Sequence, residues 1–148
     1  MRSSGLCAMP ANAEPLLLDT SAAIALLVAD HPAHQEVLSA VGQQPLGLSG
    51  HAAFETYSVL TRLPGPLRRS AATVSRLISL NFPETRFLPV QAHSRLLRQL
   101  ADLGLAGGSV YDALVGMTAV HHSLPLVSRD ERALPVYRRL GVDLAEGS

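Results

Sequence analysis

Short, continuous apolar runs recur along this chain between longer segments of mixed polarity. The runs at residues 15–18, 45–48, 87–90, 125–128 and 142–144 predict five strands. Within these runs the apolar residues follow one another instead of alternating with polar ones. This pattern is typical of strands that are covered on both faces, as in a parallel sheet between two layers of helices.

The segments between the runs have the apolar spacing and the end signals of helices. We predict helices over residues 21–28, 31–41, 49–63, 67–80, 91–103, 109–122 and 131–140. The triplet DTS at residues 19–21 is a helix-start signal, while PGP at residues 64–66 and Gly104 mark helix ends. Strands that alternate with helices predict an α/β domain, in which ligands bind beyond the carboxyl ends of the strands.

The length and composition fit one domain. The chain has 148 residues, of which 47% are hydrophobic and 16% are charged, and this balance excludes an intrinsically disordered chain. We expect residues 1–13 to form a disordered N-terminal extension, with Met9 as an alternative start. We expect residues 14–148 to form a single domain.

The charge balance and the cysteine content exclude several classes of function. Twelve acidic residues balance twelve basic residues, all of them Arg, which excludes a histone-like protein but not an enzyme that acts on nucleic acid through a local site. Cys7 is the only cysteine, so no internal disulfide or thiolate metal cage can form, and we expect a reducing, cytoplasmic location. No apolar run approaches the roughly 18 residues that span a bilayer, so we expect no membrane partner.

Four acidic residues lie where the surrounding sequence is apolar. Asp19 and Asp130 follow the first and fourth predicted strands, and Glu55 and Asp112 lie inside predicted helices of apolar composition. A carboxylate against apolar surface is costly unless another charge compensates it, and the chain has no Lys. Mg²⁺ and Mn²⁺ prefer carboxylate oxygens, so a divalent cation is the natural compensation.

Structural roles for these acids remain open from the residues alone. The segment 19–21 could cap a helix, and residues 109–112 and 128–131 have the spacing of a capping box. Glu55 could pair with Arg62 or with His51 on the same helix face. Capping does not explain the position of Glu55 in the middle of a helix, or the four acids together.

Four segments resemble the motifs of the PIN domain, and most closely those of the VapC toxins of bacterial toxin–antitoxin pairs. They are LLDTSA at residues 17–22, AFETYS at 53–58, GGSVYDAL at 107–114 and LVSRD at 126–130. The third segment is the most specific of the four. The resemblance covers residues from about 15 to about 144, nearly the whole chain.

This resemblance implies a PIN-like fold, a five-stranded parallel sheet with helices on both faces. It also implies that Asp19, Glu55, Asp112 and Asp130 are the family's first to fourth acids, which meet in one pocket. There they would bind Mg²⁺, for which Mn²⁺ substitutes, and catalyse cleavage of RNA to a 5′-phosphate and a 3′-hydroxyl. The first and fourth strands would be neighbours, so that Asp19 and Asp130 flank one crevice.

The resemblance implies further roles around the acids. Ser128 takes the place of a Ser or Thr that the family commonly has near the fourth acid, and Thr20 is a second supporting residue. Gly116 stands where some relatives have a further acid, so we expect no fifth ligand. Among the arginines, Arg129 and Arg132 adjoin Asp130 and are our candidates for binding substrate phosphate.

The expected function is that of a Mg²⁺-dependent endoribonuclease toxin that cleaves structured RNA, tRNA or rRNA, and thereby inhibits translation. The expected partners are a cognate VapB-type antitoxin, which occupies the acidic pocket with a cationic side chain, and a second copy of the chain in a homodimer. The alternatives are a metal-dependent DNA nuclease or phosphatase on a similar fold, and a non-enzymatic binding module whose acids only cap helices. A Rossmann-type nucleotide binder is disfavoured because residues 104–108 do not follow a strand and lack the G-x-G-x-x-G spacing.

Overall fold

The structure is a computed structural model that describes residues 13–145. The extension predicted over residues 1–13 lies, except for its last residue, outside the described part of the chain. Residues 146–148 lie outside it as well. Of the single domain expected over residues 14–148, the structure describes residues 14–145.

A parallel sheet forms the centre of the described residues. Its strands are β1 (Leu16–Leu18), β2 (Leu46–Leu48) and β3 (Leu126–Val127), in the order β2-β1-β3. Leu18 pairs with Leu48 on one side of β1 and with Val127 on the other, and all three are fully buried. The continuous apolar runs therefore have the predicted cause, a sheet that is covered on both faces.

The prediction of five strands is wrong in detail, because the outer two positions of the sheet are single bridges. Arg86 pairs with Ser49 beyond β2, and Leu144 pairs with Leu126 beyond β3, both in parallel. The described residues thus form a three-stranded sheet with one isolated bridge at each edge. Because β3 has two residues, the segment around Leu144 pairs with it at a single residue, Leu126.

The predicted strand over residues 87–90 is wrong, because the pairing falls on the polar residues before it. The N–H of Glu84 donates to the carbonyl of Leu46 (3.0 Å) and that of Arg86 to the carbonyl of Leu48 (3.1 Å). A Cβ at Gly47 would lie 2.1 Å from the carbonyl oxygen of Glu84, so only glycine lets this segment pass so close to β2. Pro89 then begins the next helix, which ends the pairing.

Helices connect the strands and cover both faces of the sheet. They are α1 (Thr20–Leu27), α2 (His34–Val41), α3 (Ala52–Thr61), α4 (Ala71–Asn81), α5 (Val90–Gln99), α6 (Ser109–His122) and α7 (Leu134–Arg139), with a 3₁₀ turn at Gly65–Leu67. The bounds of α6 agree with the prediction, α1 keeps its predicted length but begins and ends one residue earlier, and the other helices are shorter than predicted. Within residues 13–145, no helix combines the length and hydrophobicity needed to cross a membrane.

Two helices, α3 and α6, begin without a side-chain cap. The Ser49 hydroxyl donates to the carbonyl of Val115 (2.7 Å), and α3 begins three residues later without a side-chain cap. Ser109 bonds the backbone of Ala106, and α6 follows Gly108 without a side-chain cap. The capping-box interpretation is therefore wrong for Asp112. The reason that an acid lies at this position has to come from the candidate active site described below.

The hydrophobic core has two parts, one on each face of the sheet. Leu16 and Leu18 point to one face, where they pack in one cluster with residues of α1 and α2. Leu17 points to the other face and packs in a second cluster with Val115 of α6 and Tyr137 of α7. Helices on both faces confirm the predicted layer arrangement.

Candidate active site

Asp19 lies at the carboxyl end of β1 and caps α1. Its Oδ1 atom accepts hydrogen bonds from the backbone N–H of Ala22 (3.0 Å) and from the hydroxyl of Ser21 (2.6 Å). The backbone N–H of Asp19 donates to the carbonyl of Val127 (3.1 Å), which fixes the residue between the ends of β1 and β3. The predicted helix-start signal at residues 19–21 is confirmed.

The second oxygen of Asp19 is held from the other side of the site. Its Oδ2 atom accepts hydrogen bonds from the hydroxyls of Ser128 (2.5 Å) and Tyr137 (3.0 Å). Asp19 is 3% exposed, and this burial raises its pKa above the ordinary value, although the four hydrogen bonds oppose the rise. A carboxylate offers about four lone-pair sites, so protein donors already occupy the acceptor capacity of Asp19.

Glu55 reaches the same region from α3. Its Oε2 atom accepts a hydrogen bond from the hydroxyl of Thr20, 3.0 Å away, in the first turn of α1. This bond joins the start of α1 to α3, and it replaces the pairing with Arg62 or His51 that the sequence left open. The two residues that we expected to support the acids lie next to them, Thr20 beside Glu55 and Ser128 beside Asp19.

Asp112 lies in the first turn of α6, with its side chain 15% exposed. Burial raises its pKa, and the charges of Asp130, Asp19 and Glu55 raise it further, against the opposing charge of Arg132. The charges of the three other predicted acids therefore all act on Asp112. The structure brings the four acids to one edge of the sheet, although they come from four separate segments of the chain.

Asp130 opens the turn that follows β3. Its Oδ1 atom accepts hydrogen bonds from the backbone N–H groups of Arg132 (3.0 Å) and Ala133 (3.3 Å), and its own N–H donates to the Ser128 hydroxyl (3.1 Å). Since β1 and β3 are neighbours, Asp19 and Asp130 lie at adjacent strand ends, as predicted. This is the edge of an open α/β sheet at which ligands bind.

The two candidate phosphate-binding arginines have different surroundings. Arg132 places its Nη2 atom 3.1 Å from Asp130 and its Nη1 atom 3.8 Å from Asp112, with 70% of its side chain exposed. The guanidinium of Arg129 lies 2.6 Å from Glu36 of α2. The guanidinium of Arg132 is therefore paired with two of the predicted acids.

Tyr137 and Gly116 form a feature that the sequence did not indicate. Tyr137 is buried in α7, where its hydroxyl donates to Asp19. A Cβ at Gly116 would lie 3.1 Å from the Tyr137 ring and 3.1 Å from Val142. The ring thus fills the place beside the position where some relatives have a further acid. The sequence offered one signal for this contact, the tyrosine in the short segment LPVYRR. A single tyrosine does not reveal that its hydroxyl bonds an aspartate 118 residues earlier in the chain.

The donor set fits a divalent cation in its chemistry. Four carboxylates supply the hard oxygen ligands that Mg²⁺ and Mn²⁺ prefer. Among residues 13–145, however, no group of three acidic, His or Cys side chains is already assembled around one point that could hold a metal ion. Arg132 lies between Asp112 and Asp130, and hydroxyl donors occupy Asp19. Binding would therefore require Arg132 and one hydroxyl donor to move aside.

The fold and the site together define a class, α/β proteins with an acidic edge at the carboxyl ends of a parallel sheet. The family model of the PIN domain matches residues 16–140. The chain is also 44% identical over 128 residues to Ribonuclease VapC27 of Mycobacterium tuberculosis, a match that spans 86% of this chain and 93% of that one. The chain belongs to the PIN-domain family, among the VapC ribonucleases.

Solved structures share the same fold. VapC20 of Mycobacterium tuberculosis, described as a sarcin–ricin-loop-cleaving toxin, superposes with a TM-score of 0.63 at 19% identity, covering 82% of this chain and 94% of that one. A chain of VapBC2 from Rickettsia felis, solved with a DNA fragment from the promoter, superposes with a TM-score of 0.61 at 13% identity, covering 88% and 96%. The predicted PIN-like fold and the predicted family are confirmed.

Proposed function

We propose that this protein is the toxin of a toxin–antitoxin pair, a divalent-metal-dependent endoribonuclease that cleaves structured RNA, tRNA or rRNA, and so inhibits translation. The observation that carries the proposal is the meeting of four acids at one sheet edge, where Arg132 bridges Asp112 and Asp130, and Thr20, next to Asp19, bonds Glu55. Kinship with a protein named as a ribonuclease supports RNA as the substrate class. Likeness to a toxin that is described as cleaving an RNA loop is consistent with it.

The same four carboxylates would hold Mg²⁺, with Mn²⁺ as a substitute. When bound, the ion supplies an activated water and stabilises the negative charge that develops on the phosphodiester during hydrolysis. Two carboxylates about 4 Å apart repel each other by roughly 4 kcal/mol at an effective dielectric constant near 20. Clustered acids of this kind favour a cation over an empty site, because the cation removes the repulsion.

The neighbouring residues orient the carboxylates. Ser128 and Tyr137 hold Oδ2 of Asp19, and Thr20 holds Oε2 of Glu55. For Asp112, the partial positive charge at the N-terminus of α6 opposes the rise in pKa that burial causes. The hydrogen bonds to Asp19 and Glu55 fix the directions of carboxylates that would hold the cation.

Arg132 is the residue that we assign to the RNA backbone. Its exposed guanidinium is paired with Asp112 and Asp130, two of the acids that would hold the cation. Its forked donors would match the phosphate oxygens next to the scissile bond. Arg129, paired with Glu36, is a second candidate earlier in the same loop.

The test of this function uses the purified protein with RNA, DNA and a phosphomonoester, each with Mg²⁺, with Mn²⁺ and with EDTA. We expect cleavage of RNA with either metal and none with EDTA. Cleavage of DNA at a comparable rate would support the alternative of a DNA nuclease, and hydrolysis of the phosphomonoester would support a phosphatase. A melting temperature that does not respond to Mg²⁺ would support a non-enzymatic module, because a ligand of the native state must stabilise it.

A homodimer is also part of the proposal. Leu38 of α2 and Phe54 and Tyr57 of α3 are large hydrophobic side chains that remain exposed. Both helices pack against α1, and large apolar side chains that stay exposed are typical of a surface that another protein covers. Analytical ultracentrifugation at micromolar concentration should give the mass of a dimer, and a monomer alone would contradict this assignment.

We further propose a VapB-type antitoxin that inhibits the enzyme by occupying its acidic edge. The likeness to VapBC2 and the exposed apolar side chains of α2 and α3 support such a partner. A segment packed on this surface could direct a basic side chain at Asp112 and Asp130, in the manner of Arg132. In a complex with the cognate antitoxin, uptake of Mn²⁺ should be lost. If the complex binds Mn²⁺ and cleaves RNA like the free enzyme, inhibition acts elsewhere.

A further inference from the structure

Two aromatic rings stack at the rim of the acidic edge. The rings of His51 and Tyr111 have centroids 4.7 Å apart and an interplanar angle of 24°. His51 immediately precedes α3, and Tyr111 lies in the first turn of α6. The stack therefore joins the starts of the two helices that carry Glu55 and Asp112.

The position of the stack relative to the acids follows from helix geometry. Tyr111 directly precedes Asp112, and His51 lies one turn before Glu55 on the same face of the helix. Helical side chains lean toward the N-terminus of their helix, so the carboxylate of Glu55 leans toward the turn that carries His51. Through their positions in the chain, His51 and Tyr111 lie within about one helical turn of Glu55 and Asp112, respectively.

Tyr111 contributes little to the core. Its side chain belongs to neither hydrophobic cluster and is 52% exposed, whereas Tyr137 in the same region is buried. His51 supports one side of the Tyr111 ring, and the exposure leaves a large part of the ring open to solvent. A rigid, supported aromatic plane beside a phosphate site is the arrangement on which unpaired nucleobases stack in RNA-binding proteins.

We propose that Tyr111, backed by His51, is the stacking platform for one nucleobase next to the scissile phosphate. The proposal rests on the proposed function, in that the phosphate is taken to bind at the acids. The chain has few aromatic residues, which disfavours extended stacking along a strand, but a single base needs only one plane. The platform would select RNA loops in which a base next to the cleavage site is unpaired.

A binding experiment tests the platform without relying on cleavage. The chain has no Trp, so Tyr111→Trp creates a single fluorescent reporter at the stack, and Tyr57→Trp, on the side of α3 facing α4, provides a matched control. With Mg²⁺ present, nucleoside 5′-monophosphates should quench the emission of the Tyr111→Trp variant saturably, and ribose 5-phosphate, which lacks a base, should not. Absence of quenching, or an equal response of the Tyr57→Trp variant, would overturn the platform.

A kinetic experiment tests its role in cleavage. Tyr111→Ala should lower kcat/KM for RNA by roughly 5- to 150-fold, the range for losing one base–aromatic stack. Tyr111→Phe, which keeps the ring, should retain wild-type activity, and the melting temperature of each variant controls for folding. Wild-type rates and cleavage sites in Tyr111→Ala would refute the proposal. If the wild type cleaves no RNA at all, the proposed function fails, while the fluorescence result still decides whether the platform binds a base.

Discussion

Replacing Asp19 with Asn should stabilise the metal-free protein while abolishing its activity. The carboxylate is 3% exposed, and burial raises its pKa despite four hydrogen bonds. The ionised form is therefore less stable inside the protein than in water. Asn removes the charge but keeps the shape, so the unfavourable desolvation disappears together with the ability to hold a metal ion.

The size of the effect follows from the contacts. The Asn carbonyl can accept from Ser21 and Ala22, and its amide can donate to Ser128 and Tyr137, whose hydroxyls can turn to accept. All four hydrogen bonds are thus kept. Each unit by which the pKa of Asp19 exceeds its ordinary value destabilises the ionised protein by about 1.4 kcal/mol at neutral pH. Each kcal/mol regained in this way raises the Tm by roughly 2–4 °C for a chain of this size.

The assay is thermal unfolding in EDTA and in Mg²⁺, with the exposed Asp102→Asn as the matched control. We expect Asp19→Asn to melt above the wild type in EDTA and to show no further rise with Mg²⁺. The control should melt with the wild type under both conditions. A fall in Tm of several degrees for Asp19→Asn in EDTA would refute the reasoning, because it would mean that hydrogen bonds to the ionised carboxylate outweigh its desolvation.

Three further predictions concern the same site. In EDTA the free energy of unfolding should rise as the pH falls from 7 to 5, because the raised pKa values of Asp19 and Asp112 mean that the folded state binds protons more tightly than the unfolded state. The rise should be smaller in Asp19→Asn, and urea denaturation at both pH values measures it. Arg132→Gln should tighten Mn²⁺ binding about 2- to 5-fold by calorimetry while raising KM for RNA, since it removes a competing cation and a phosphate ligand. Gly116→Val should lower the free energy of unfolding by about 1–3 kcal/mol in urea, because even a Cβ there would lie 3.1 Å from Tyr137 and 3.1 Å from Val142, so the larger side chain overpacks the core.

The sequence predicted the parts of the fold that local patterns determine. The 109–122 helix has its predicted bounds because strong apolar spacing ends where the chain turns into the left-handed Ser123. The strands at Leu16–Leu18, Leu46–Leu48 and Leu126–Val127 lie within predicted apolar runs. The meeting of Asp19 and Asp130 could be predicted as well, because they follow the first and last of these strands and parallel strands place their carboxyl ends at one edge.

Features that depend on distant parts of the chain could not be predicted. The polar segment at Glu84 pairs with the sheet because Gly47 lets it approach, and nothing local marks Glu84 as part of a sheet. The bond from Tyr137 to Asp19 and the position of Arg132 between two acids likewise depend on how α7 packs on α6. Such contacts involve side-chain directions that spacing along the sequence does not specify.

The central claim is that four carboxylates at one sheet edge make this protein a metal-dependent ribonuclease. Its most direct test compares cleavage of total RNA by the wild type, by Asp112→Asn and by Asp143→Asn, an exposed acid near the end of the described chain. The account predicts that the wild type and Asp143→Asn cleave RNA with Mg²⁺ and not with EDTA, leaving 5′-phosphate ends, and that folded Asp112→Asn cleaves none. Cleavage by folded Asp112→Asn at the wild-type rate, or by the wild type in EDTA, would contradict it.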